Sequence, residues 1–341
     1  MTIDAPLADT SSVDAPTQAA LRELAAHAEA ICDAVAKALT GKRDVVETTI
    51  AVLLSRGHLL LEDVPGVGKT TLATALGKAL GLDVARIQFT PDLLPSDLTG
   101  VNIYRPHSGE FEFRPGPLFS QVVVGDEVNR ASPKTQSALL ECMQEGQVTV
   151  DGTSYELPSP FFVIATQNPI EMDGTYPLPE AQRDRFTARL TMGYPPAESE
   201  LSMLDMHDLD EPTRTIRPII SADEVHKLSQ TTALIYAAKS IKQYILDLVH
   251  ASRESPHLQL GTSPRAAIQL LRVAKAHAAI TGRDHVLPDD IKTLASPVLA
   301  HRLIPEDAGT TSSEIDEILK NIITNTPIRV HRNEMTPPEV S

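Results

Sequence analysis

The sequence has no tryptophan, only two cysteines, and few aromatic residues, which make up 4% of the chain. Cys32 and Cys142 cannot build the disulfide framework of a small secreted domain, which favours a reducing compartment. No stretch approaches the ~18 consecutive apolar residues that a membrane-spanning helix needs. The first residues, MTIDAPLADTSSVDAPTQ, lack the basic and apolar regions of a secretory signal. We therefore expect a cytoplasmic protein without direct membrane insertion.

Positive charge is also scarce. The chain carries 30 Lys and Arg against 45 Asp and Glu, a net charge of −15. A protein whose main partner is nucleic acid neutralises phosphates with clustered Lys and Arg, so this balance argues against that class. The 11 histidines are scattered and show no helical metal-ligand spacing, so no zinc site is expected.

The length of 341 residues suggests about two domains. Residues 1–16 are rich in Asp, Ser, Thr and Pro and are expected to form a disordered arm. We predict an α/β domain over 17–195, an all-helical domain over 196–330 and a flexible tail over 331–341. The boundary follows the Tyr194-Pro195-Pro196 segment, after which the apolar spacing is helical only.

Short apolar runs alternate with helical segments in the first domain, which predicts a parallel sheet covered on both faces. The predicted strands are His58–Glu62, Ala85–Phe89, Gln121–Gly125, Phe161–Thr166 and Thr187–Met192. Two predicted hairpins interrupt the alternation, at Val101–Tyr104 with Glu110–Arg114 and at Gln147–Val150 with Thr153–Leu157. The second has an Asp-Gly turn, which is a strong hairpin signal.

The strongest chemical signal follows the first predicted strand, in the segment LLLEDVPGVGKTT. Gly66 and Gly68 allow backbone N–H groups to point at phosphate oxygens, and the following helix N-terminus favours negative charge. In such a P-loop Lys69 reaches the β- and γ-phosphates and Thr70 binds Mg²⁺. The general pattern has Gly where this chain has Asp63. A chance Gly-Lys-Thr in a surface turn is the alternative, and the flanking strand and helix argue against it.

Two carboxylates, Asp126 and Glu127, end the third predicted strand. Strand alternation would point them in different directions, with Asp126 at the magnesium and Glu127 as the base that activates water. A solvated strand end is the alternative on local grounds, but the upstream P-loop favours the catalytic interpretation.

Asn168 ends the next apolar strand, and two arginines, Arg183 and Arg185, precede the last one. Asn168 could orient the attacking water or could form an ordinary Asn-Pro turn. Either arginine could stabilise a transferring phosphoryl group, or both could decorate a helix C-terminus.

Together these segments resemble a MoxR-type AAA+ ATPase. The resemblance rests on LLLEDVPGVGKTTLA, VVVGDEVNRASPKTQSALLECMQEGQVTVDG, FFVIATQNPIEMDGTYPLPEAQRDRF and GTSPRAAIQLLRVAKAHA. The family also has a residue like Asp63 in its P-loop. Matched positions imply Walker A, Walker B, sensor 1, arginine-finger and sensor 2 roles. The nucleotide-contacting positions are Gly41, Pro65, Gly66, Val67, Gly68, Lys69, Thr70, Thr71 and Asp126, and the catalytic positions are Glu127, Asn168, Arg185 and Arg265.

The resemblance further implies a P-loop NTPase core with a five-stranded parallel sheet and two hairpin inserts, followed by an all-α lid. It implies ATP and Mg²⁺ as cofactors, with Thr70 and Asp126 at the metal. It implies a ring, expected to be a hexamer, in which Arg185 acts on the ATP of the neighbouring subunit and Arg265 brings the lid onto the γ-phosphate. It also implies a chaperone that remodels, matures or inserts metal or a cofactor into a protein client, with a von Willebrand factor A domain partner.

Three alternatives to this chaperone role stay open on sequence grounds. A nucleic-acid motor would use related rings, and the net charge weighs against it. A metal-chelatase motor subunit would use the same machinery with a different partner. A nucleotide-gated scaffold without turnover would lack the base or the finger, yet Glu127 and Arg185 are both present.

Overall fold

The computed structural model describes residues 17–39, 41–63, 66–168, 175–194, 212–307 and 309–329. The predicted arm, the predicted tail and Pro195 at the predicted domain boundary lie outside these ranges. No helix within them is long and apolar enough to cross a membrane.

A five-stranded parallel sheet forms the centre of the first domain. Its strands, in chain order, are β1 (Leu59–Glu62), β2 (Val84–Gln88), β5 (Val122–Asp126), β8 (Phe162–Gln167) and β9 (Ala188–Leu190). Their spatial order is β2-β5-β8-β1-β9, and every neighbouring pair is parallel. All five predicted strands are therefore present, and the carboxyl ends of β1, β5 and β8 meet at one edge.

Side chains from alternate positions of the sheet enter two separate apolar cores. Leu59 and Leu61 belong to the core beneath the N-terminal helices, whereas Leu60 belongs to the core on the other face. The strands are apolar at successive positions because both faces are covered. The helices of this domain are α1 (Gln18–Ala36), α2 (Arg43–Leu54), α3 (Lys69–Ala79), α4 (Pro95–Thr99), α5 (Pro133–Glu145) and α6 (Glu180–Arg183).

Two antiparallel hairpins stand outside the sheet, as predicted. The first joins β3 (Gly100–Arg105) to β4 (Glu110–Pro115), and the second joins β6 (Gln147–Val150) to β7 (Thr153–Glu156). Phe113 of the first hairpin stacks on Tyr155 of the second at a centroid distance of 4.0 Å. Phe111, by contrast, is 71% exposed. The two phenylalanines therefore differ, since one packs and the other faces solvent.

The second domain is a helical lid that shares a core with the N-terminal helices. Its helices are α7 (Ala222–Ala233), α8 (Lys239–Glu254), α9 (Pro264–Ile280), α10 (Pro288–Leu299) and α11 (Ser312–Asn325). Leu270 and Val273 of α9 are fully buried in the core that also holds Leu24 of α1 and Ile50 of α2. A short antiparallel pair, β10 (Leu258–Leu260) with β11 (Ile304–Pro305), interrupts the helices and corrects the expectation that this region is helical only.

Candidate active site

The P-loop joins the carboxyl end of β1 to the first turn of α3, which starts at Lys69. Gly66 and Gly68 have φ values of 86° and 93°, in the left-handed region where glycine carries no steric penalty. A Cβ on Gly68 would also lie 2.9 Å from Leu39 Cδ1 of the segment after α1. Val67, Thr70 and Thr71 complete the turn, so the predicted Walker A residues lie together. Pro65 lies outside the described residues.

Asp63 anchors this loop to the end of the neighbouring strand β9. Its carboxylate Oδ2 accepts hydrogen bonds from the N–H groups of Met192 at 2.7 Å and Gly193 at 2.5 Å. Its carbonyl accepts a hydrogen bond from Lys69 Nζ at 2.5 Å. The presence of Asp63 in place of the glycine of the general P-loop pattern therefore has a structural explanation, since glycine would supply no carboxylate for these two amides.

Lys69 is partly buried among acidic groups. Burial lowers the pKa of its ammonium group, while the charges of Asp63, Asp126 and Glu127 act in the opposite direction. The lysine thus lies within electrostatic reach of the Walker B carboxylates. In this arrangement its carbonyl partner at Asp63 holds the ammonium beside the loop where phosphate oxygens would bind.

Asp126 lies at the carboxyl end of β5 and is only 6% exposed. Its Oδ2 accepts a hydrogen bond from Thr70 Oγ1 and its Oδ1 accepts one from Thr166 Oγ1, each at 3.3 Å. Arg86 Nε contacts the same Oδ2 at 2.6 Å, so a cation already faces this carboxylate. Hydroxyl and carboxylate oxygens are the ligands that Mg²⁺ prefers, and the Thr70–Asp126 pair therefore fits the expected metal.

Glu127 turns away from the strand at once. Its backbone has φ 57° and ψ 51°, a left-handed conformation that is uncommon for a side-chain-bearing residue and recurs at active sites. Its N–H donates to Thr166 Oγ1 at 3.0 Å, and its carboxylate contacts Gln88 Nε2 at 3.3 Å and Arg130 Nε at 3.0 Å. The two carboxylates do have different surroundings, but the cause is this left-handed turn and not strand alternation.

Asn168 and Gly41 complete the sheet edge that carries the P-loop. Asn168 follows β8 directly, between β1 and β5, and its carbonyl accepts a hydrogen bond from Asn129 Nδ2 at 3.5 Å. Gly41 has φ 78° and precedes Lys42, whose Nζ donates to the carbonyls of Met192 and, at 3.1 Å, Tyr194. The Gly41 segment is therefore tied to the same end of β9 that Asp63 holds.

Arg185 and Arg265 lie at the opposite edge of the sheet. Arg185 precedes β9, which runs parallel to β1 with Leu59 opposite Ala188, so it lies beside the amino end of β1. Arg265 is near the same edge. Burial lowers the pKa of His58, the residue before β1, to about 4, and the nearby Arg265 charge contributes to this shift. Since β1 alone spans about 13 Å, the structure does not bring either arginine to the Lys69 cluster of its own chain.

Several residues of the site were missed from the sequence alone. Thr166 bonds both Walker B residues, and its hydroxyl at the end of an apolar strand was an available signal. Arg86 contacts the site through the fold and carries no local pattern. Arg302 lies in the lid and contacts the segment around Arg185.

Comparisons with known proteins agree with this arrangement. A family model described as the ATPase family associated with various cellular activities (AAA) matches residues 58–188, and one described as an AAA lid domain matches residues 250–322. A Bacillus subtilis protein named YeaC, described as uncharacterized, is 49% identical over 298 residues, covering 87% of this chain and 93% of that protein. Chaperone MoxR1 of Mycobacterium tuberculosis is 39% identical over 300 residues, covering 85% of this chain and 78% of that protein.

A solved structure is also similar over nearly the whole chain. It belongs to a protein from Cytophaga hutchinsonii that is described as a candidate ATPase. The TM-score is 0.84 at 40% identity, covering 92% of this chain and 98% of the other. The chain belongs to the MoxR family of AAA ATPases, and it is an ATP-hydrolysing enzyme.

Proposed function

We propose that this ATPase works as a ring, expected to be a hexamer, in which each subunit binds ATP at its own P-loop and supplies Arg185 and Arg265 to the ATP of a neighbour. The observation that carries the proposal is the separation of the two groups to opposite edges of one parallel sheet. A subunit in this conformation holds the phosphate cradle without the arginines. A second copy is then the natural source of the missing positive charge.

The residues divide the work of hydrolysis between the two subunits. Lys69 and the loop N–H groups hold the β- and γ-phosphates, and Glu127 accepts the proton of the attacking water. Asn168 orients that water or hydrogen-bonds the γ-phosphate. Mg²⁺, held by Thr70 and Asp126, would neutralise charge on the phosphate oxygens. Arginine suits the trans role because its planar guanidinium stays charged and can bond two oxygens at once.

Arg185 is the better candidate for the finger than Arg183. The Arg183 Nε is buried and has no hydrogen-bond partner among the described residues, and the charge of Arg183 contributes to the lowered pKa of the buried His301. Arg183 thus points toward the chain's own interior. Arg185 is also half-buried, and it is the arginine that matches the finger position in the family resemblance.

The work done by the ring is proposed to be that of a chaperone on a protein client, in maturation, remodelling or metal or cofactor insertion. The name of the Mycobacterium tuberculosis relative, a chaperone, supports this class. A partner with a von Willebrand factor A domain is proposed from the family resemblance. The exposed aromatic pair of the first hairpin, Tyr104 and Phe111 with a centroid distance of 5.3 Å, supports client contact at that insert.

The test is steady-state ATPase activity of the wild type and of Lys69→Ala, Glu127→Gln and Arg185→Ala, with Arg217→Ala as an exposed arginine control. We expect loss of turnover in the first three variants and wild-type activity in the control. We also expect specific activity to rise with protein concentration as rings form, with a mass by light scattering that matches a hexamer. Activity that stays constant down to concentrations where only monomers scatter would contradict the trans arrangement.

The client and partner are tested separately, by affinity capture with Glu127→Gln, which should hold ATP and therefore clients. Wild type and Lys69→Ala serve as controls. Enrichment of a protein with a von Willebrand factor A domain on Glu127→Gln alone is expected. Stimulation of ATPase activity by DNA, with no protein enriched, would instead favour the nucleic-acid motor.

A further inference from the structure

The guanidinium of Arg302 is the most enclosed positive charge in the described part of the lid, with only 2% of its side chain exposed. Its Nη2 donates to the carbonyls of Phe186 at 2.6 Å and Asp184 at 3.3 Å and to the side-chain oxygen of Gln269. Its Nη1 donates to the carbonyl of Val298 at 2.7 Å. An ion pair at 3.0 Å joins its Nε to the Asp184 carboxylate. One side chain therefore connects the lid to the segment that precedes β9.

Two of these acceptors flank Arg185, since the carbonyls of Asp184 and Phe186 belong to the residues on either side of it. A second lid residue, His301, contacts the Phe186 carbonyl through Nε2 at 3.1 Å. Burial and the charge of Arg302 lower the pKa of His301 well below its usual range, so the ring is neutral. Its Nε2 is then the N–H donor. The backbone around Arg185 is thus held from the lid at both neighbours.

The same ion pair extends to the second arginine. Asp184 Oδ1 accepts a hydrogen bond from Ser263 Oγ at 3.2 Å, and Ser263 is the N-cap of α9. Arg265 lies two residues further on, in the first turn of that helix. Asp184 therefore links the finger segment to the start of the sensor 2 helix, and Arg302 neutralises the carboxylate that makes this link.

Burying an arginine is costly, and a buried ion pair is by itself weak grounds for assigning a stabilising role. What it supplies is a defined geometry, because the planar fork fixes several acceptors relative to one another. Misplacement of a catalytic group by 1 Å can cost about 10²-fold in rate. A fork that spans both neighbours of Arg185 is well suited to prevent such misplacement.

We propose that Arg302 is a positioning residue, which holds Arg185, and through Asp184 also Arg265, in the orientation in which they act on the nucleotide of the neighbouring subunit. The inference rests on the proposed function, in which these arginines act in trans. Arg302, a lid residue remote from its own P-loop, would thereby contribute to catalysis in another subunit.

The variants are Arg302→Gln, which removes the charge, and Arg302→Lys, which keeps the charge but loses the fork. Arg283→Gln is the matched control, since Arg283 is also a lid arginine and it pairs with the buried Asp290 without contacting residues 184–186. We expect kcat for ATP hydrolysis to fall about 10²-fold in Arg302→Gln and less in Arg302→Lys. The affinity of each subunit for a fluorescent ATP analogue should stay within about twofold of wild type, because the Lys69 cluster is untouched.

Mixed rings separate positioning from general damage. A Lys69→Ala subunit cannot hydrolyse ATP at its own P-loop but can still supply Arg185 to its neighbour. An Arg302→Gln subunit should have a working P-loop but should supply Arg185 in the wrong position. Mixing the two inactive proteins as full chains should restore activity. When the two variants are mixed in equal amounts and assemble in random order, about a quarter of the subunit contacts place the Arg185 of a Lys69→Ala subunit at the intact P-loop of an Arg302→Gln subunit. The same should hold for Arg185→Ala with Lys69→Ala, whereas Arg302→Gln with Arg185→Ala should stay inactive.

These mixtures distinguish the two proposals. If Arg185→Ala and Lys69→Ala fail to complement, the trans finger itself is wrong, and the proposed function fails together with the role of Arg302. If that pair complements but neither Arg302 variant complements Lys69→Ala, only the positioning role is overturned. Unchanged kcat in both Arg302 variants would also overturn it, as would an equal loss in Arg283→Gln.

Discussion

Replacement of Asp63 tests whether this side chain, and not the glycine of the general P-loop pattern, holds the nucleotide loop in place. In the structure its carboxylate accepts two backbone N–H groups from the end of β9. Asp63→Gly restores the general pattern and removes both bonds. Asp63→Asn keeps an oxygen acceptor but removes the charge. We expect Asp63→Gly to be less stable to unfolding than Asp63→Asn, although its sequence is closer to the general P-loop pattern.

The magnitude follows from these two bonds. Hydrogen bonds to a charged group each contribute about 1.5–3 kcal/mol net. Because Asp63 is only half-buried, we take the low end, about 3 kcal/mol for both. The added backbone freedom of glycine costs about 0.5–1 kcal/mol more. Asp63→Gly should therefore lower the free energy of unfolding by about 3.5–4 kcal/mol. Asp63→Asn should lower it by about 1.5 kcal/mol, since neutral hydrogen bonds have roughly half the strength.

The assay combines urea unfolding with ATPase kinetics. Loss of the anchor should also raise KM for ATP, because Asp63 fixes both the loop that carries Lys69 and the β9 end that Lys42 contacts. Glu62→Gln is the matched control, since the adjacent Glu62 pairs with Arg189 at 3.0 Å and has no hydrogen bond to the described part of the loop backbone. It should lose some stability while its KM stays unchanged. An Asp63→Gly protein as stable as wild type, with an unchanged KM, would refute the reasoning.

Three further outcomes are expected. Thr166→Val removes the acceptor of the partly buried Glu127 N–H. We expect kcat to fall by about fivefold or more, in line with loss of about 1–3 kcal/mol from an unsatisfied donor, while circular dichroism stays native. Arg86→Ala removes the cation that competes for Asp126. Because Arg86 is 60% exposed, the half-saturating Mg²⁺ concentration should fall by at most about fivefold, as for a surface ion pair of about 0.2–1 kcal/mol. Burial raises the pKa of the Cys142 thiol to about 12. The thiol should therefore resist iodoacetamide at pH 8 in the native protein and react once urea unfolds the chain. Rapid labelling of the native protein would contradict its buried position.

The parts of the fold and site that could be predicted from the sequence are those with a local pattern. β1, β5 and β8 are apolar at successive positions because both faces of the sheet are covered, and each is followed by a chemical motif. Parallel strands bring their carboxyl ends to one edge, so the placement of Lys69, Asp126 and Asn168 at one edge follows from the strand assignment. Their closeness within that edge depends on the strand order, in which β8 lies between β5 and β1.

Contacts between distant irregular segments have no such pattern. The Asp63 carboxylate meets amides that lie 129 and 130 residues further along the chain, and the lid arginine Arg302 meets a carbonyl 116 residues before it. Both contacts depend on where loops cross after the sheet and lid have packed. The sequence shows an Asp out of pattern and an Arg in a largely apolar stretch, but neither residue type nor spacing identifies its partner.

The position of the lid on the first domain could not be predicted from the sequence. The cap at Ser263 and the spacing of α9 predict the helix that carries Arg265, but not the surface that it covers. In the structure α9 packs on α1 and α2, because its buried face continues the apolar core of those helices. That packing sets Arg265 beside the amino end of β1, a strand length away from Lys69. For Arg265 to meet its own nucleotide, α9 would have to leave a core of fully buried residues such as Leu270 and Val273. Contact with the nucleotide of a neighbouring subunit needs no such loss of buried apolar surface, and this difference in cost is the physical reason to expect hydrolysis to depend on assembly.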